Sequence, residues 1–298
     1  MNRTDSDALR FALPKGRTHE GVVQLLRDAN LDVRLPQSGS ARSYRARLAL
    51  PGVDTKILKP QAIVEMLRNG SRDLGFAGAD WVAETGGCGD DLVELFDTEL
   101  DPVRLVAAAP TSLLAGRSTL PARPLRVASE FERLTRQWIE DERIDATLVR
   151  SWGATEVLPP EDADCIVDLV STGATLRANG LVECGEVLRS STRLYANRKA
   201  MERPESADRI ERIVMLVRSV LDARRRVMVE LNVAADRLDA VVGKIPCMRE
   251  PTVAQLASGL GFAVRAAVAT EVLATLVPDL KAAGGTDIVV TKLAQIVP

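Results

Sequence analysis

The feature that most constrains this chain is a repeated punctuation. Short apolar runs alternate with helix-competent stretches, and turn-forming residues separate them. Leu9 to Leu13 form one such run, and Pro14, Lys15, Gly16 and Arg17 follow as a loop. Val22, Val23, Leu25, Leu26 and Ala29 then recur at helical spacing. Further on, Leu48 to Pro51 and Thr55 to Leu58 read as a hairpin. Gln61 to Asn69 read as a helix stopped by Gly70, and Leu74 to Ala77 and Arg104 to Ala109 as strands. A second round opens after Pro121 and Pro124. It gives strand Leu125 to Ala128, helix Glu132 to Asp141, strand Thr147 to Val149, a short helix near Thr155 and strand Cys165 to Val170. Such alternation predicts open α/β sheets in two lobes, with a cleft between them suited to a small ligand.

After Lys199 the character changes. Ser206 to Arg225 read as one long amphipathic helix, with Ile210, Ile213, Val214, Leu216, Val217, Val220 and Leu221 sharing a face. Beyond it come strand Val227 to Val233, helix Ala235 to Gly243, strand Phe262 to Val268, helix Glu271 to Ala283 and strand Asp287 to Thr291. This is a small α+β unit whose pattern resembles regulatory domains that bind amino acids.

A chain of 298 residues has room for these lobes, and 46% apolar with 27% charged residues is ordinary for a globular protein. Only 3% are aromatic, so the core must be aliphatic. The net charge of −2, with no basic block, points to neither nucleic acid nor a membrane surface as partner. Cys88, Cys165, Cys184 and Cys247 stand apart, with no paired spacing and no nearby His, so no metal site is expected and free thiols in a reducing compartment are. The first nine residues are polar and lack the apolar stretch of a secretory signal. No segment is apolar over the roughly 18 residues of a membrane span. A cytoplasmic protein is the expectation.

The stretch richest in chemistry is Asp164 to Leu181. An apolar strand runs into Ser171, Thr172, Gly173, Ala174, Thr175 and Leu176, and a helix follows. Free backbone N–H groups and a helix N-terminus suit an anion; three hydroxyls can donate, and Gly173 permits close approach. Asp168 lies inside the apolar strand, where a carboxylate is costly without a partner, and two vicinal ribose hydroxyls would supply one. A polar turn with an N-cap is the plain alternative.

Here the sequence resembles a known family, ATP phosphoribosyltransferase, the first enzyme of histidine biosynthesis, in its long form. D-L-V-S-T-G-A-T-L-R-A-N-G-L at Asp168 to Leu181 is similar to that family's phosphoribosyl-diphosphate loop. In the family's order come L-R-F-A-L-P-K-G-R at Leu9 to Arg17, S-Y-R-A-R at Ser43 to Arg47 and K-P-Q-A-I at Lys59 to Ile63. D-L-G-F-A-G-A-D-W at Asp73 to Trp81, G-A-T-E-V at Gly153 to Val157 and P-x-M-x-x-P-T-V at Pro246 to Val253 complete the set. Three stretches depart from the family pattern: Pro159 to Asp164, Asp101 to Leu105, and Cys247, where a small residue is usual.

The resemblance implies a two-lobed, periplasmic-binding-protein-like catalytic part. Lobe I would comprise residues 1–98 and 183–206, and lobe II residues 99–182. A ferredoxin-like regulatory domain would follow at 207–298. It implies transfer of a phosphoribosyl group from its diphosphate to N1 of the ATP adenine, with Mg²⁺ held mainly through substrate phosphates. Lys15, Arg17, Glu156 and Asp168 would be catalytic, and Gly16, Arg45, Lys59 and Ser171 to Leu176 would bind substrate. Arg45 and Arg47 alternate, so only one faces the site. Histidine would inhibit through the last domain, with Glu230 and Thr252 as contacts, and the assembly would be a homohexamer exchanging with dimers. His19, Trp81, Trp138 and Trp152 read as surface and packing residues, and Asp80 as near the hinge. Three readings compete: a transferase acting on another base, a non-catalytic two-lobed binding protein, and a regulatory subunit without activity.

Overall fold

The computed structural model describes residues 8–34, 44–117 and 119–298. Ser43, in the S-Y-R-A-R match, and the first seven residues of the polar N-terminus lie outside them. The chain divides into two compact units, Met1–Gln24 with Asp32–Ile210, and Leu25–Leu31 with Glu211–Pro298.

In chain order the first unit begins β1 (Leu9–Pro14), α1 (His19–Asp28), β2 (Val33–Arg34), β3 (Arg47–Leu48) and β4 (Val53–Leu58). There follow α2 (Pro60–Arg68), β5 (Leu74–Gly78), α3 (Ala79–Glu84), β6 (Leu92–Pro110) and α4 (Thr111–Leu114). Then come β7 (Leu125–Ser129), α5 (Glu132–Asp141), β8 (Ala146–Arg150), β9 (Cys165–Val170), α6 (Ala174–Ala178), β10 (Leu181–Asn197), α7 (Arg198–Glu202) and α8 (Pro204–Arg224). The last four residues of α1 and most of α8 belong to the second unit.

One eight-stranded sheet has the order β4-β1-β5-β10-β6-β9-β7-β8. It is two similar halves. β4, β1 and β5 run parallel on one side, and β9, β7 and β8 run parallel on the other. Between them β6 and β10 pair antiparallel along almost their whole length. β9 pairs with Arg104–Ala108 of β6, and β5 with Thr192–Ala196 of β10. The bend in between carries positive φ at Glu99 and Asp101 and register shifts around Thr192. The sequence reading expected a hairpin at 48–58. Instead β4 pairs parallel with β1, and β3 pairs with β2. Two runs close in sequence suggest a hairpin, but β4 lies beside the apolar β1, where Ile57 is buried.

Apolar faces of the helices cover this sheet. Ile63, Val64 and Leu67 of α2 pack on Ala12, Ala77 and Tyr195. Leu134 and Trp138 of α5 pack on Leu105, Val127 and Val167. The Glu84 carboxylate, at the end of α3, accepts the N–H groups of Arg133 and Leu134 at 2.8 and 3.0 Å and so caps the first turn of α5.

The second unit adds β11 (Arg226–Ala234), α9 (Leu238–Val242), β12 (Thr252–Gln255), β13 (Gly261–Ala269), α10 (Leu273–Ala282) and β14 (Thr286–Lys292). Its sheet order is β12-β13-β11-β14, all antiparallel. A βαββαβ chain with that order is the ferredoxin-like arrangement. Val227, Val229, Leu231 and Val233 alternate onto one face and meet Val241, Leu276 and Leu280 from the helices. Thr252, named as a histidine contact, begins the edge strand β12.

Candidate functional site

The loop at the end of β9 is the centre of the site. Val170 is buried, and the chain leaves the strand at the exposed Ser171 and Thr172. Gly173 has φ +72°, and a Cβ there would stand 3.0 Å from the Arg177 guanidinium. The positive φ favours glycine there, whereas the Arg177 side chain could move aside for a Cβ. The backbone then enters α6, which has only five residues. A macrodipole from so short a helix is slight, so the anion-binding capacity rests on the loop's own N–H groups and hydroxyls. That corrects the weight the sequence reading gave to the helix.

Asp168 projects from β9 two residues before the strand ends at Val170. Its Oδ1 accepts the N–H of Leu169 at 2.7 Å. Burial pushes its carboxyl up to about 6; the Leu169 N–H works against the shift, and the charges of Glu156 and Glu130 add to it. Glu156 follows from a tight turn after β8. Gly153 has φ +111° and Ala154 φ +50°, and the buried hydroxyls of Ser151 and Thr155 meet at 2.7 Å across its base. Glu130 stands at the carboxyl end of β7. Three carboxylates thus gather at the carboxyl ends of three parallel strands, where α/β sheets bind ligands.

A cavity of about 260 Å³ opens over this loop. Asp168, Glu156, the whole segment Ser171 to Leu176 and Arg17 line it, with Val103. Arg17 arrives from the loop after β1, and its Nη1 donates to the carbonyl of Asp101 at 3.1 Å. It is the one predicted cation that lines this cavity. Lys15 is exposed beside it in sequence, with its Nζ 5.4 Å from the centre of the Tyr44 ring. Arg45 pairs with Asp54 at 2.6 Å and lines a different, larger concavity with Arg47. Lys59 is exposed and precedes α2 as its N-cap. Gly16 has φ +88° with open space around it. Glu130 and Val103 went unremarked in the sequence; neither sits in a motif that sets it apart.

Of the other residues considered, Asp80 is buried, donates its N–H to Ser190 Oγ at 3.0 Å and accepts that of Trp81 at 2.6 Å. Burial raises its carboxyl, and the Trp81 N–H, Ser190 and, least, the charge of Arg17 partly offset this. His19 Nδ1 lies 2.8 Å from the Pro14 carbonyl. Trp138 is core and Trp81 packs on Phe131, whereas Trp152 is 80% exposed and does not pack as expected.

In the second unit, Glu230 lies mid-strand on the face opposite the helices, in an ion pair with Arg265 at 2.5 Å. Its carboxylate already has a cation. Thr252 lines a concavity of about 240 Å³ with Cys247, Arg249, Glu250 and Arg265. Among the described residues, no group of three or more His, Cys, Asp or Glu side chains is arranged to hold a metal ion, and no helix is long and apolar enough to cross a membrane.

Fold and cavity together give an α/β protein in which a hydroxyl- and glycine-rich loop and a neighbouring carboxylate line one cavity, a combination suited to a phosphorylated sugar. The comparisons sharpen this. The family model for ATP phosphoribosyltransferase matches residues 59–219, and that for the HisG C-terminal domain matches residues 223–295. An ATP phosphoribosyltransferase of Pelotomaculum thermopropionicum is 32% identical, over 97% of this chain and 99% of that protein. One of Natronomonas pharaonis is 38% identical, over 97% of this chain and 100% of that protein. The solved ATP phosphoribosyl transferase (HisG:HisZ) complex from Thermotoga maritima shares the fold, with a TM-score of 0.59 at 24% identity, covering 70% of this chain and 98% of that one.

The chain belongs to the ATP phosphoribosyltransferase family, in its long form. It is a pentosyltransferase of histidine biosynthesis that joins N1 of the ATP adenine to C1 of phosphoribosyl diphosphate and releases diphosphate.

Proposed function

We propose that the cavity over Ser171 to Leu176 holds the phosphoribosyl group and that Asp168 accepts its ribose hydroxyls. The observation that carries this is the convergence of a half-buried carboxylate without a cation, a loop rich in hydroxyls and N–H groups, and Arg17 on one cavity. Ser171, Thr172 and Thr175 donate to the 5′-phosphate, with Gly173, Ala174 and Leu176 supplying backbone. Glu156 lies on the ribose side. As diphosphate leaves, C1 gains positive character while negative charge builds on the leaving group. Arg17 stabilises that charge, and Lys15 and Gly16 continue its loop toward the polyphosphates. Arg45 and Lys59, which lie away from the cavity, are assigned to the ATP side.

The residues fit a Mg²⁺ ion carried by the substrate. Asp168, Glu156 and Glu130 leave an excess of negative charge that a cation relieves. Bound to the diphosphate and to Asp168 or Glu156, the ion would neutralise charge on the leaving group.

Lobes of 1–98 with 183–206 and of 99–182 are proposed to close on the substrates, with residues 207–298 binding histidine as inhibitor. The support is the separate ferredoxin-like unit and its own concavity at Thr252. With Glu230 paired to Arg265, binding an ammonium group there requires exchange of that pair. A homohexamer in exchange with dimers supplies the two global states inhibition needs.

The test is diphosphate release with Thr175→Ala, Arg17→Ala and Glu156→Gln, each checked for folding. Unchanged kcat and KM in all three would remove the site assignment. Calorimetric titration of histidine into the intact chain tests the regulatory part; no heat at millimolar histidine would end it without touching the catalytic one.

A further inference from the structure

We infer that Trp152 is a stacking platform for the purine of ATP, which makes it a substrate-binding residue of this active site. The inference rests on the proposed placement of the ribose at Asp168 and Glu156. Large aromatic side chains dominate cores and interfaces and seldom stand free in water. Trp152 is 80% exposed, while Trp138 is buried and Trp81 packs on Phe131.

Its exposure is built. The turn that carries it holds Gly153 and Ala154 in the left-handed region, and the Ser151–Thr155 hydroxyl pair closes its base. The Ser151 N–H also donates to the Ser129 carbonyl at 3.0 Å. The backbone under the ring is therefore fixed. The ring itself is backed on one face by the Arg150 guanidinium, 4.2 Å from its centre. Arg150 in turn pairs with Glu132 at 3.4 Å, and Glu132 with Arg136 at 3.0 Å. One face of the indole is thus covered by a tethered cation and the other is free for a flat ligand.

Four residues further on, Glu156 lines the phosphoribosyl cavity. Trp152 itself lies outside that lining, on the same turn. A ribose held at Asp168 and Glu156 is attacked by a purine nitrogen, so the purine lies against the ribose and outside the phosphate end of the cavity. An indole on the Glu156 turn is placed to receive it. Stacking of a base on an aromatic ring needs no hydrogen-bond code, and Arg150 holds the indole from its other face.

The experiment compares the full-length enzyme with Trp152→Ala and Trp152→Phe. Trp152→Ala should raise KM for ATP about ten- to a hundredfold, the loss of one base–aromatic stack. KM for phosphoribosyl diphosphate and kcat should stay within about threefold. Trp152→Phe should keep most of the ATP affinity, and ATP should quench indole emission in the wild type and not in Trp152→Phe. An unchanged KM for ATP in Trp152→Ala overturns the inference. So does a change in particle mass with KM for both substrates raised together, which would make the indole a subunit contact. Neither outcome touches the assignment of Asp168, which is read from KM for phosphoribosyl diphosphate in its own variant.

Discussion

Two aspartates in the same sheet meet opposite fates. Asp73, at the start of β5, is almost wholly buried and accepts from the Arg10 N–H, Nε and Nη2 at 2.8, 2.9 and 2.7 Å and from Arg203 Nη2 at 2.6 Å. Burial works to raise its carboxyl, but the hydrogen bonds and charges of Arg10, with the charge of Arg203, hold it below the usual carboxylate range. Asp168, near the end of β9, has one N–H donor and two carboxylate neighbours, and its carboxyl is pushed up to about 6. Asp73 is satisfied by the fold and ties β1, β5 and the approach to α8 together. Asp168 has no such partners, which is the ground for proposing that a substrate meets it. Strained electrostatics mark the working residue, and satisfied electrostatics the structural one.

The largest effect that can break this comparison is on stability. Asp73→Ala should cost about 3 kcal/mol, because it removes the charge-assisted hydrogen bonds that a buried carboxylate makes to Arg10 and Arg203, whose own side chains stay partly in water. Thermal unfolding should fall by on the order of 10 °C. A shift of only a degree or two would make Asp73 a surface residue in energetic terms.

Next comes activity. Asp168→Asn should lower kcat/KM about a hundredfold, the loss of roughly 2–3 kcal/mol from a charged hydrogen bond. Its secondary structure and subunit mass should not change. Near-normal turnover would place Asp168 with Asp73 among structural residues.

The same variant sharpens the contrast through pH. The Asp168 carboxyl is raised from 3.8 to about 6 on folding, so the folded chain binds this proton more tightly than the unfolded chain. Ionisation therefore costs stability above pH 6, the cost shrinks between 6 and 4, and below that it is absent. At pH 8 Asp168→Asn should be more stable than the wild type by on the order of 2 kcal/mol, and the two should converge near pH 4. The Asp73 carboxyl is lowered, so its contribution is present at neutral pH and lost on acidification. Melts across pH 4–8 check the sign for Asp168 and melts below pH 4 the sign for Asp73; a less stable Asp168→Asn at pH 8 would reverse the account.

The smallest effect lies in the first loop. Arg17→Ala should weaken phosphoribosyl diphosphate binding about tenfold, and Lys15→Ala less, because only Arg17 lines the cavity. Equal losses in calorimetry would mean that Lys15 leaves Tyr44 to reach the same phosphates.

Much of this was legible in the sequence. The α5 and β9 boundaries follow from clean helical and apolar patterns, and Asp168 drew notice because a carboxylate inside an apolar strand needs a reason. The long strand β10 did not show. Its run from Leu181 to Asn197 mixes charges with Gly185, and bulges break the two-residue alternation with β6. The first half of β6 hid for the same reason. The six-residue α3 carries too little periodicity to read. Arg17, Glu156 and Asp168 were each visible as residues, but their meeting on one cavity is a product of strand order. Glu130 carries no local signal at all. Trp152 was read as packing because most tryptophans pack; only the geometry of its turn shows otherwise.

The most direct test of the central claim is calorimetric titration of phosphoribosyl diphosphate with Mg²⁺ into wild type, Asp168→Asn and Thr175→Ala. The account predicts binding by the wild type and affinities about a hundredfold weaker in both variants, with folding intact. Equal affinities in all three proteins would contradict it and move the phosphoribosyl site away from Ser171 to Leu176.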